Sequence, residues 1–116
     1  MILGLGTELR AVRGVPSQDR LQDLFTAGEI AYCRRMRYPG PHFAARHAAK
    51  IAALKALRLE TGPWHEMETV RSENGSPTLL LTGSLSRIAI RLGVARVFLS
   101  LSHTRGHAAA LVVLES

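Results

Sequence analysis

The stretch Phe43 to Leu57, FAARHAAKIAALKAL, leaves a chain of this kind few ways to fold. At about 100° per residue, Ala45, Ala48, Ala49, Ala52 and Ala56 line one face of a helix. A face of bare methyl groups is core, and it packs closely on a sheet. The opening ILGLGTEL reads as a strand, and its Gly4 and Gly6 leave room for another backbone to approach. Only 5% of the residues are aromatic while 47% are apolar, so the core is aliphatic and rich in alanine.

The rest of the chain supplies stops and caps. Ser17 starts a short helix running to Leu24 and Phe25, and Thr26-Ala-Gly-Glu29 matches a capping box for a second helix to about Met36. Tyr38-Pro-Gly-Pro41 ends it, and the long helix follows over roughly 42 to 59, with Pro41 in its first turn. Strands are expected over 67–72 and 78–82, joined by the turn Asn74-Gly75-Ser76-Pro77. Ser84 is expected to cap a helix through Leu92, stopped by Gly93. Apolar strands over 95–102 and 107–114 close the chain. Hairpins outnumber crossovers in this β-α-α-α-β-β-α-β-β order. The expectation is an α+β fold in one domain, residues 1–116, with a mainly antiparallel sheet packed against the long Ala-rich helix.

The formal charge is +6, and almost all of it is arginine, with lysine only at Lys50 and Lys55. Such a balance favours anionic partners. Nucleic acid is the first class charge suggests, but Tyr32, Tyr38 and Phe43 form no stacking ladder and no nucleic-acid signature is present. The single cysteine, Cys33, excludes an internal disulfide and a four-thiolate zinc site. With no apolar run near the roughly 20 residues that span a bilayer and no signal-peptide pattern, the chain reads as cytoplasmic, without a membrane partner.

Three places carry candidate chemistry. On the long helix, His47, Ile51 and Lys55 stack at i, i+4 and i+8, flanked by Lys50 and Arg58, a basic stripe suited to phosphate yet holding a hydrocarbon at its centre. Glu8 follows the closely spaced glycines at the strand end, where a carboxylate suits a hard cation. Ser100-Leu-Ser102-His103-Thr104 closes a strand with hydroxyls beside an imidazole; no glycine-flanked nucleophile elbow accompanies it, which argues against an acyl hydrolase.

Taken together, GLGTEL at the start, FAARHAAKIAALKAL in the middle, NGSP at 74 to 77 and LSLSHTRGHAAALVVLE at the end resemble, over essentially the whole chain, the holo-acyl-carrier-protein synthase type of 4'-phosphopantetheinyl transferase. The resemblance implies transfer of the phosphopantetheine arm of coenzyme A to a serine of an acyl carrier protein, in a homotrimer with sites at subunit interfaces. It assigns Glu8 and Lys55 to catalysis, with Glu8 as the ligand of Mg2+. Coenzyme A falls to Arg46, Lys50, Lys55, Asn74, Gly75, Pro77, Ser102, His103 and Thr104. Docking of the acidic carrier falls to Arg10, Arg13 and Arg20. Two departures stand out: Glu8 occupies the place of an aspartate, and Ile51 that of the second metal-binding glutamate. A neighbouring acid, Glu29 or one from another subunit, is the replacement to look for. The resemblance also admits a relative that keeps the fold and serves an assembly line by binding a carrier protein or coenzyme A without transfer.

Overall fold

A computed structural model describes residues 1–116. Its strands are β1 (Ile2–Ala11), β2 (Met67–Arg71), β3 (Pro77–Leu81), β4 (Arg96–His103) and β5 (His107–Glu115). Its helices are α1 (Leu21–Leu24), α2 (Ala27–Arg34), α3 (Pro39–Ala56) and α4 (Gly83–Leu92). The expected element order holds, and every strand pair is antiparallel. The sheet is divided, however: β1-β5-β4 form one sheet and the β2-β3 hairpin another.

The long helix begins three residues earlier than expected, because Pro39 and Pro41 both fit a first turn that needs no N–H donor. Ala48, Ala49, Ala52 and Ala56 are buried on it. The strand glycines explain how closely it lies. A Cβ on Gly6 would stand 1.9 Å from the Ala52 carbonyl oxygen, and one on Gly4 would stand 2.1 Å from that of Ala56. Helix and strand therefore meet backbone to backbone. From β5, Ala108, Ala110, Val112 and Leu114 complete this core by alternation.

The opposite face of the three-stranded sheet has no covering layer in the chain. Leu5, Leu9, Phe98 and Leu111 stand exposed on it.

The capping box forms as the spacing predicts. Glu29 N donates to Thr26 Oγ1 (3.1 Å), and Thr26 N donates to Glu29 Oε1 (3.0 Å). Two expected caps do not form. Ser17 bonds Asp19 rather than a helix amide, and Thr82, not Ser84, precedes α4. The first turn of α4 is held by Glu66, whose Oε1 accepts from Leu85 N at 3.0 Å and from Ser84 Oγ at 2.7 Å. These bonds hold the Glu66 carboxyl below the usual range, Ser84 contributing most.

Candidate active site

Gly4, Gly6, Glu8 and Arg10 alternate onto the β1 face turned to α3, so the glycine contact delivers Glu8 to the flank of the helix. There Lys55 Nζ lies 2.8 Å from Glu8 Oε1 and donates to the Thr7 carbonyl at 3.1 Å. Arg10 approaches the other carboxylate oxygen, Oε2, at 3.4 Å. Burial alone would raise the Glu8 carboxyl; the Lys55 ammonium and the Arg10 guanidinium outweigh it and hold Glu8 below the usual range. These groups line a cleft of about 630 Å3 together with Ile51, Glu60 and Trp64. His47, one turn before Ile51, is pushed down to about 4 by burial and by Arg10.

Magnesium is the ion the resemblance assigns here, and the donor set does not fit it. Position 51 is a half-buried hydrocarbon, and both oxygens of Glu8 already face protein cations. No three His, Cys, Asp or Glu side chains gather in a metal-binding arrangement. Glu29 does not replace the lost acid: it is wholly buried and paired with Lys50 at 2.8 Å.

The same pair corrects the reading of Lys50 as a coenzyme A ligand. Its ammonium is fully buried and donates to the carbonyls of Trp64 and Met67 as well as to Glu29, so its three donors are used inside the protein. Arg10, the third residue expected to dock the carrier, lies 3.4 Å from Glu8 and stays partly exposed. Arg13 and Arg20 are exposed, Arg20 lying 3.4 Å from Asp23.

A second cleft, of about 410 Å3, lies between α2, α3 and the hairpin and includes Arg35, Arg46, Thr69 and Arg71. The guanidinium carbons of Arg46, Arg71 and Arg35 stand 4.2, 5.2 and 5.7 Å from the centre of the Tyr32 ring. Arg71 Nε also donates to Tyr32 Oη at 2.7 Å, and its Nη1 donates to the Gly75 carbonyl. Arg46 Nε and Thr69 Oγ1 are buried without a partner. Glu68 sets one carboxylate against the three cations around the ring, and with the two unmet polar atoms the balance still favours an anion. Asn74 and Gly75 do not line this cleft, and only the Gly75 carbonyl meets it, through Arg71; Asn74 Oδ1 accepts from Ser76 N at 3.0 Å inside the turn, and Gly75 sits at φ +85°, a left-handed conformation that favours glycine. Pro77 opens β3 beside them.

His103 and Thr104 form a third corner with Tyr38, His42 and Arg105. The His42 and His103 rings stand 4.8 Å apart, and burial, then His103, depresses the His42 imidazole. Thr104 Oγ1 accepts from His107 N at 3.2 Å and so secures the β4–β5 turn. Ser102, one strand step from His103, faces the open side of the sheet with Leu9 and Leu111. The chain thus brings Glu8, Lys55 and Ile51 together, and Arg46 beside Arg71, which alone of the two reaches the NGSP turn. His42 links that cleft to His103, its ring lying 6.1 Å from that of Tyr32. Sequence reasoning missed Tyr32, Arg35 and Arg71, which meet Arg46 only through tertiary packing.

A two-layer α+β frame carries a carboxylate–ammonium pair on one flank and an arginine-lined cleft suited to anions on another. The comparisons narrow this. No protein-family model matches the chain. It is 40% identical over an alignment of 124 positions to a holo-(acyl-carrier-protein) synthase of Geotalea daltonii, covering 99% of each chain. To that of Moorella thermoacetica it is 38% identical over 110 residues, covering 92% of this chain and 86% of the other. The crystal structure of the Neisseria meningitidis enzyme superposes with a TM-score of 0.90 at 25% identity, over the whole of both chains. The Bacillus anthracis enzyme in complex with CoA (3',5'-ADP) superposes with a TM-score of 0.77 at 25% identity, covering 100% and 98%. This chain belongs to the holo-(acyl-carrier-protein) synthase family.

Proposed function

We propose that this chain transfers the 4'-phosphopantetheine arm of coenzyme A to a serine of an acyl carrier protein, its 116 residues acting as one transferase domain. The carrier serine oxygen attacks the β-phosphorus of coenzyme A. The bond from that phosphorus to the bridging oxygen breaks, adenosine 3',5'-bisphosphate leaves with the electron pair, and the serine proton passes to water. Lys55 offsets the charge that develops on the phosphate, and Glu8 holds Lys55 in place. The 3'-phosphate and adenosine end fall to Arg46, the turn of Asn74, Gly75 and Pro77, and the His103–Thr104 corner. Magnesium has no step in this reading, because a hydrocarbon stands at position 51 and both Glu8 oxygens already face protein cations.

The observation that carries the proposal is the gathering of Arg35, Arg46 and Arg71 on Tyr32 beside the NGSP turn, in a chain 40% identical along 99% of its length to a holo-(acyl-carrier-protein) synthase. A homotrimer accompanies it. The exposed Leu5, Leu9, Phe98 and Leu111 give the sheet an apolar face for a second copy. The Glu8 cleft shares no lining residue with the other two, which leaves room for a neighbouring copy to complete the site. A carrier protein, being acidic, meets Arg13 and Arg20. No helix is long and apolar enough to cross a membrane. The buried free thiol of Cys33, pushed up to about 11 chiefly by burial, suits the cytoplasm.

Intact-mass analysis of an apo carrier protein incubated with the chain and coenzyme A tests the reading. Gain of one phosphopantetheine arm is expected. An unmodified carrier, beside an active synthase working on the same sample, would instead favour a relative that binds without transfer.

A further inference from the structure

The Glu8 cleft spends two cations on one carboxylate. Lys55 is a point charge at 2.8 Å from Oε1, and Arg10 brings a planar fork to Oε2 at 3.4 Å. The Arg10 contact is long for a charge-assisted bond, so the guanidinium is placed but not saturated. Ile51 forms the wall beside them. Glu60, the other carboxylate of the cleft, is exposed beyond the end of α3.

The geometry points to Arg10 and Lys55 as a diphosphate clamp that grips its ligand directly, without a divalent cation. This inference rests on the reading that the cleft receives the diphosphate of coenzyme A. A diphosphate presents oxygens on two adjacent phosphorus atoms. A guanidinium fork suits two of them and an ammonium a third. The wall decides between the two solutions. A magnesium ion keeps several waters that need hydrogen-bond partners, and the Ile51 side chain offers none. The same hydrocarbon lowers the local dielectric and strengthens a direct cation–phosphate contact. Glu8 then acts as the residue that positions both cations between turnovers.

Calorimetric titration of the full chain with coenzyme A and, separately, with inorganic pyrophosphate tests this, each in EDTA and in magnesium. Both ligands are expected to bind in EDTA within about threefold of their affinity in magnesium. Arg10→Ala is expected to weaken both about tenfold or more, Arg10→Lys to recover part of the loss, and Arg91→Ala, with the same net charge as Arg10→Ala, to bind as the parent does. Thermal unfolding of each variant checks that it is folded. Binding that requires magnesium, or an Arg10→Ala chain that binds pyrophosphate as the parent does, would overturn the clamp. Metal-free, Arg10-dependent pyrophosphate binding beside an unmodified carrier sustains the clamp and removes the transferase reading. Carrier modification that occurs only with magnesium does the reverse.

Discussion

The Lys50 ammonium lies 2.8 Å from Glu29 Oε1, and neither side chain reaches solvent. Burial depresses Lys50, and Glu29 works against that fall. Glu29 also accepts from Thr26 N and Thr69 N, which ties α2, α3 and β2 at one point. Removing one member strands the other. Lys50→Ala is expected to lower unfolding free energy by about 3 to 5 kcal/mol in urea denaturation. Lys50→Met combined with Glu29→Gln should recover much of that. A Lys50→Ala chain of parental stability that no longer binds coenzyme A would return Lys50 to the phosphate site.

Gly6→Ala tests the contact between strand and helix. The new methyl would stand 1.9 Å from the Ala52 carbonyl oxygen and 2.8 Å from its carbon, and neither is the end of a flexible side chain. The expected loss is more than about 2 kcal/mol in chemical denaturation, with a fall in transfer rate as Lys55 is lifted from Glu8. Parental stability would show that α3 can ride up without cost.

His47 gives stability a dependence on acid. Its imidazole is held down at about 4 by burial first and by Arg10 second, against about 6.5 in an unfolded chain. Between those values the unfolded chain binds the extra proton, so stability is full above about 6.5 and declines as pH falls toward 4. Allowing for partial solvent access to the ring, the loss is about 1 to 2 kcal/mol. Melting temperatures across this window should fall less steeply in His47→Gln. Equal slopes would place the acid sensitivity elsewhere.

Arg46→Ala and Arg71→Ala probe the cleft around Tyr32. Each removes a charged donor from the proposed 3'-phosphate end, so KM for coenzyme A should rise about tenfold with a smaller change in kcat. If KM holds and kcat falls instead, the arginines position the NGSP turn and do not hold the anion.

Arg13 and Arg20 should act on the other substrate. Arg13→Ala and Arg20→Ala are expected to raise KM for the carrier protein and to weaken its salt dependence, leaving coenzyme A affinity unchanged. Unaltered carrier kinetics from low to high salt would exclude these exposed charges as the dock.

The legible parts of the chain were those with local causes. The Thr26–Glu29 box, the Gly93 stop at φ +87° and the hairpin through Gly75 all follow from a few neighbouring residues. The Ala face of α3 is legible because helical period reports which residues share a side. Period does not report what lies beyond that side. Lys50 is about 60° around the helix from His47, and on a wheel it joins the basic stripe. In the fold, α2 and β2 cover that flank and supply Glu29. Glu66 capping α4, and Arg35 and Arg71 meeting Arg46, are likewise contacts between distant segments with no local trace. Ile51 is the contrary case, since its departure is plain in the sequence and the structure then shows what surrounds it.

The glycine–alanine contact carries one more consequence. Gly4 and Gly6 lock onto α3 through Ala52 and Ala56, and position 51 takes no part in that lock. Strand and helix therefore keep their spacing whatever side chain stands at 51, and the reactive groups beside it keep theirs. The frame is deaf to the residue that most alters its chemistry, so an acid and a hydrocarbon are interchangeable at position 51 as far as this contact is concerned.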